Sequence, residues 1–169
     1  MEQLPVVITD FTNLANQKWR IVNDDVMGGL SESHFQINSD GHAVFLGEIS
    51  LKNNGGFASV RNQEPLNLFG FEAVRLKVKG DGSRYSFRLK PNPDSSNPAY
   101  WYEHRFETEK DEWSEIVLPF SSFKPTYRGS TPKDAPQLDL KNISHFGFLI
   151  SDKQSGKFRL EVNKIEAIP

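Results

Sequence analysis

The sequence predicts an all-β fold, a two-sheet sandwich of the jelly-roll kind, and three observations predict it. Apolar and polar residues alternate through most of the chain, the period of a half-buried strand. No stretch of a dozen residues holds apolar residues at helical spacing. Clusters of Gly, Asn, Asp and Pro fall between the alternating runs, where turns must close.

The elements follow in order. Ala43, Phe45, Ile49 and Leu51 form one apolar row, and Val74, Leu76 and Val78 alternate with Arg75, Lys77 and Lys79. Tyr85, Phe87 and Leu89 alternate with Ser86, Arg88 and Lys90. Tyr100, Tyr102, His104 and Phe106 alternate with Trp101, Glu103, Arg105 and Glu107. Ile116 with Leu118, then Phe146, Phe148 and Ile150, then Phe158, Leu160 and Val162 continue the pattern. Turns are expected at Ser39-Asp40-Gly41, Asn54-Gly55-Gly56, Gly80-Asp81-Gly82, Asn92-Pro93-Asp94 and Ser155-Gly156. Short helical turns are expected near 13–17 and 121–123, and long loops at 91–99 and 124–138, which are polar and Pro-rich.

Composition narrows the function. At 169 residues the chain matches one domain, 1–169, since domains run to roughly 100–200 residues. The absence of Cys excludes a disulfide framework, a thiolate metal site and a thiol nucleophile. Twenty basic against 22 acidic side chains give a net charge of −2, so no field draws in nucleic acid or an anionic membrane. The first thirty residues hold Glu2 and Asp10 and no Arg before Arg20, unlike an import peptide or a secretory signal. No apolar run nears the ~20 residues of a membrane span. The expectation is a soluble cytoplasmic protein.

The catalytic inventory is thin. The four His residues are scattered, no nucleophile elbow occurs, and no Gly-rich phosphate loop opens a helix. A binding protein without catalytic residues or cofactor is expected, the enzyme alternative resting on Asp24, Asp25, Glu103 or His104. Two clusters invite a role. Asp24 and Asp25, followed by Gly28-Gly29, offer oxygens to calcium, or else bond local amides and fix an irregular loop. Asn53-Asn54-Gly55-Gly56 suits a hairpin turn with left-handed backbone. A third feature follows from the alternation. Arg88, Trp101, Glu103 and Arg105 turn away from the apolar face, either as a ligand platform of guanidinium and indole or as a solvated face with Arg–Glu pairs.

Read together, these segments resemble the complex I intermediate-associated protein 30 family. The resemblance runs through Trp19, Asn23-Asp24-Asp25-Val26-Met27-Gly28-Gly29-Leu30-Ser31 and Phe45-Leu46-Gly47. It continues in Asn53-Asn54-Gly55-Gly56-Phe57-Ala58-Ser59-Val60-Arg61, Lys79-Gly80-Asp81-Gly82, Tyr85 and Trp113. Leu118-Pro119-Phe120, Phe123, Arg128-Gly129, Gly147-Phe148 and Phe158-Arg159-Leu160-Glu161-Val162 complete it. The resemblance implies a galactose-binding-like jelly roll, akin to some carbohydrate-binding modules. It also implies a chaperone-like binder, since mitochondrial members assist assembly of respiratory NADH:ubiquinone oxidoreductase. Without the import peptide and N-terminal extension, the expectation here is a stand-alone bacterial form that meets a protein partner, or alternatively a glycan through its aromatic and Arg face. The signature falls on Asp24, Asp25, Met27, Gly28, Gly29, Ser31, Asn54, Gly55, Gly56 and Arg61. One arrangement it suggests is a buried ion pair of Arg61 with Asp24 or Asp25.

Overall fold

A computed structural model describes residues 3–12, 18–24, 28–92, 100–127 and 130–169. These residues form two antiparallel sheets. The first contains β1 (Val6–Thr9), β3 (Glu32–Ile37), β4 (Ala43–Ile49), β6 (Ala73–Lys79), β9 (Trp113–Pro119) and β12 (Gly156–Ile168). Its order is β3-β4-β12-β6-β9, with β1 also on β12. The second contains β2 (Trp19–Asn23), β5 (Ala58–Leu66), β7 (Arg84–Pro91), β8 (Trp101–Glu107), β10 (Lys124–Thr126) and β11 (Ile143–Ile150). Its order is β10-β8-β7-β11-β5-β2.

The alternating residues meet between the sheets. Phe45, Leu76, Leu118, Leu160 and Ile165 from the first sheet face Tyr85, Phe87, Leu89, Phe146 and Phe148 from the second, all essentially without solvent contact. The rings lock edge to face, as Phe87 does on Phe148 with centroids 5.5 Å apart and Phe45 on Phe158 at 5.0 Å. Two register shifts keep the pattern inward where strict alternation would lose it. One between Ile143 and His145 places both Ile143 and Phe146 inside and leaves His145 on the outer face. Another between Val162 and Lys164 does the same for Val162 and Ile165.

Turn chemistry explains the connections. Between β3 and β4 the Asn38 side chain accepts from the Asp40 and His42 amides at 3.1 and 3.0 Å, with Gly41 at φ +80°. This is the expected Ser39-Asp40-Gly41 turn. The Asn54-Gly55-Gly56 segment is not a hairpin, because β4 belongs to the first sheet and β5 to the second. A 3-10 turn, Lys52–Asn54, followed by Gly55-Gly56 carries the chain across the sandwich. The helical turn expected near 121–123 is a 3-10 turn at Phe120–Ser122. The one at 13–17 and most of the 91–99 loop lie outside the described residues. Within 124–138, expected as loop, Lys124–Thr126 pairs with β8 as the edge strand β10.

Candidate functional site

The outer face of the second sheet is set by strand register. Arg88 on β7 stands beside Glu103 on β8 and, on its other side, beside Gly147 on β11. Gly147 is in turn paired with Arg61 on β5, and Arg61 with Arg20 on β2. One cross-sheet row therefore reads Glu103, Arg88, Gly147, Arg61, Arg20. In the next row Lys90 pairs with His145. Gly147 has no substitute here, because a Cβ would lie 2.0 Å from the Val60 carbonyl oxygen. The floor between Arg88 and Arg61 carries no side chain.

Trp101, which precedes Glu103 by two residues and shares its face, lies over this row. The Arg88 guanidinium carbon sits 4.2 Å from the indole centroid and that of Arg61 4.9 Å, while Lys90 Nζ lies at 5.6 Å. The His145 ring approaches at 6.2 Å. Arg88 is only 7% exposed and the indole is more exposed, so the guanidinium lies beneath the ring. Nε and Nη2 of Arg88 and Nε of Arg61 are buried without a hydrogen-bond partner. Burial, and then the Arg61 charge, pushes Arg88 down to about 9, against the opposing pull of Glu103. Burial lowers Lys90 too, followed by Arg61 and Arg88. It lowers His145 as well, with Lys90 and Arg61 adding to it. Glu103 is raised by burial despite Arg88 and Arg105. Cation–π contacts return roughly 0.5–2 kcal/mol each, less than the several kcal/mol that desolvating a charge costs. This face holds more positive charge than it compensates.

The four residues expected on this face are thus brought together, but not equally. Arg88, Trp101 and Glu103 form its centre. Arg105 lies at the margin, exposed, with Nη2 3.2 Å from Asp152 Oδ1. Sequence reasoning missed Lys90 and His145 as members and assigned Arg61 to the loops. The alternation of β7 already placed Lys90 beside Arg88, but the register that adds β11 and β5 is a long-range property.

The signature loops build something else. Asp24 is fully buried, and its carboxylate accepts from the amides of Ser31 at 2.9 Å, Gly56 at 2.7 Å and Phe57 at 3.2 Å, and from the Ser31 hydroxyl. Burial by itself pushes this carboxyl up; the Ser31 hydroxyl and the Gly56, Ser31 and Phe57 amides outweigh it and hold the group below its ordinary range. Gly29 and Gly55 fit closely around it, since a Cβ on either would lie 2.5 or 2.6 Å from Asp24 side-chain atoms. Gly28 turns the chain at φ +86°. The Ser50 amide donates to the Ser31 hydroxyl at 3.0 Å and ties the knot to the end of β4. Of the two readings of Asp24, the one that bonds local amides and fixes an irregular loop is the one seen, and the suggested ion pair is corrected for Asp24. Asp24 makes no ion pair with Arg61, which stacks on Trp101 instead. Nor does Asp24 suit calcium, because its oxygens are spent on N–H and O–H donors that would repel a cation. Asp25 and Met27 lie outside the described residues; Asn54 is described in its backbone only, within the 3-10 turn.

The acid–base alternative also separates in space. Glu103 faces outward while His104, its neighbour, faces inward against Phe123 at 5.6 Å, and Asp24 is enclosed. Elsewhere, Asp40, His42 and Glu161 bring ligand atoms within 4.8 Å of one another, but Glu161 is already engaged by Lys79 at 3.3 Å and by Asn38. Open recesses on the first sheet and its edge, lined by residues such as His34, Glu48 and Arg159, do not coincide with the Trp101 face. The Trp101 face is the stronger candidate because it buries unpaired charge.

Comparison with known proteins agrees with this architecture. The model of the family "Complex I intermediate-associated protein 30" matches residues 9–162. The chain belongs to that family. Family relatives include an uncharacterised protein of Schizosaccharomyces pombe, 34% identical over 93% of this chain and 80% of that protein. The mouse protein named complex I intermediate-associated protein 30, mitochondrial, is 26% identical over 98% of this chain. The chain spans 56% of the mouse protein's length. A family 11 carbohydrate-binding module from Clostridium thermocellum, solved with a mixed-linked tetrasaccharide, superposes with a TM-score of 0.71 over 99% of this chain and 97% of that one. At 18% identity that likeness is one of fold. It agrees with the all-β, galactose-binding-like sandwich expected of this family. Among the described residues no helix is long and apolar enough to cross a membrane.

Proposed function

We propose that the chain is a non-catalytic binding module that assists assembly of a multisubunit complex, and that the outer face of its second sheet is the contact surface. Family membership over residues 9–162 carries this reading, because relatives in mouse and Caenorhabditis elegans are named for association with complex I intermediates. The partner is a protein, a respiratory-complex or other assembly intermediate. The face supports the reading chemically: Trp and Arg are the side chains on which protein interfaces most often anchor, and this surface sets Trp101 among Arg61, Arg88 and Lys90. The separation of Glu103, His104 and Asp24 supports a binder over a catalyst. Capture from a native extract, with the wild-type chain and a Trp101→Ala, Arg105→Ala double variant as baits, tests it. The wild type is expected to retain assembly intermediates that the variant loses. Identical partner lists would remove the face from the proposal.

The carbohydrate reading rests on the fold likeness and the outward indole. Against it, Arg61, Arg88 and Lys90 gather positive charge around the ring, which a neutral sugar does not answer. Calorimetric titration with a β-1,3-1,4 tetrasaccharide is expected to give no saturable heat; a saturable heat would favour the sugar.

A further inference from the structure

We propose that Arg61, Arg88 and Lys90, covered by the Trp101 indole, form a binding site for the dianionic phosphoryl group of a small ligand. Charge balance points to an anion. Arg88 is buried to more than nine-tenths with Nε and Nη2 unpaired, and Arg61 Nε is unpaired beside it. The three cations around the ring face one carboxylate, Glu103, opposite Arg88. Arg105, the next cation on β8, is taken by Asp152. Among the described residues two positive charges are left without a counterpart. A single carboxylate would answer one of them; a phosphoryl group, with about −1.5 to −2 charge at neutral pH, answers both.

Shape agrees with charge. Gly147 separates Arg88 from Arg61 and offers no side chain, so backbone alone floors the space between two guanidinium forks. Strands two apart in a sheet stand about 10 Å from each other, so with the indole turned aside a tetrahedral oxyanion would fit over Gly147 with a guanidinium on either side. Arg61 and Lys90, only partly buried, form the open rim. Arg88 lies below the indole, so a turn of Trp101 about its side-chain torsions uncovers the unpaired donors and frees a ring face for the rest of the ligand. The site stands whether or not a protein docks on this surface.

The test uses the whole chain at pH 7.5. Tryptophan fluorescence and thermal unfolding are followed during titration with inorganic phosphate, with sodium chloride at matched ionic strength as reference. A saturable phosphate response in the millimolar range is expected. It should be lost in Arg88→Met and in Arg61→Met, and kept in Lys77→Met on the other sheet. Arg88→Met should unfold no earlier than wild type without phosphate, since it removes an uncompensated buried charge; a purely structural arginine would instead lower the midpoint. Should that variant fail to fold, Arg61→Met and Lys90→Met carry the test. A nucleoside monophosphate run beside inorganic phosphate names the source. Roughly tenfold tighter binding assigns a ring to Trp101, and equal binding assigns the bare anion. No response beyond chloride, or binding unchanged in the arginine variants, overturns the proposal.

Discussion

At the scale of single residues the molecule treats its charged groups in two opposite ways. Asp24 is buried and over-supplied with donors, whereas Arg88 is buried and under-supplied with acceptors. The consequences differ in sign. Asp24→Asn presents an amide hydrogen where backbone N–H groups already point, and should cost about 3 kcal/mol, read from the urea midpoint. The pH dependence follows from the lowered carboxyl. Its stabilisation is whole above the ordinary value of 3.8 and is lost as pH falls through the lower folded value, because the unfolded chain takes up the proton first. The Asn variant should show a shallower loss across that acid window, and an equal slope would dismiss the carboxylate as its source. Arg61→Ala leaves no orphaned carboxylate among the described residues, where Arg61 has no such partner. Its midpoint should move by no more than ~1 kcal/mol, the scale of a lost cation–π contact; a drop of several kcal/mol would restore the ion pair that the family signature suggested.

At the scale of elements, glycines decide how closely segments approach. Gly147→Ala sets a Cβ 2.0 Å from a backbone oxygen of β5, which cannot turn aside as a side chain would. The expected cost is about 2–3 kcal/mol in unfolding free energy, with amide exchange quickened along the β11–β5 ladder. Gly55→Ala meets Asp24 Oδ2 at 2.6 Å and the Ser50 oxygen at 2.8 Å, and should loosen the crossing from β4 to β5 by a similar amount. Here the limit of the sequence is plain. Alternation located β4, β6, β7, β8, β9, β11 and β12, because each buries one face and leaves the other wet. It did not locate β2, β3 and β5. Trp19 to Asn23 reads as the approach to an acidic loop, and Ala58 to Leu66 puts Asn62 where an apolar residue would be expected. Trp101 and Arg88 were legible as outward residues of their own strands. That Arg61 joins them is fixed by β11 lying between β7 and β5, an order no local pattern encodes.

At the scale of the whole molecule one layer of apolar side chains holds the sandwich together, and it draws on residues from Phe11 to Ala167. We propose on that ground that residues 1–169 unfold as a unit. Phe148→Ala, at the centre of that layer, should cost about 3–5 kcal/mol and shift a single transition without splitting it. Separate melting of the two sheets, seen as non-coincident fluorescence and circular dichroism curves, would contradict a shared core. The near-balance of charge also has a molecular reading. With a net charge of −2 there is no long-range field, so on the contact surface proposed above salt should weaken binding at the Trp101 face without abolishing it.

The thirteen residues of β12 pair with β4 and then β1 along one side and with β6 along the other. In order of synthesis this strand comes last of the twelve among the described residues. Until it is made, β3 with β4 and β6 with β9 are two separate ribbons whose apolar faces have no sheet to complete. The nascent chain must therefore hold back its first sheet, and with it the closing of the core, until β12 is free of the ribosome. Long-range pairing of this kind is slow and leaves unpaired edges exposed to other chains. By this topology the chain itself spends an interval of its synthesis in need of shelter.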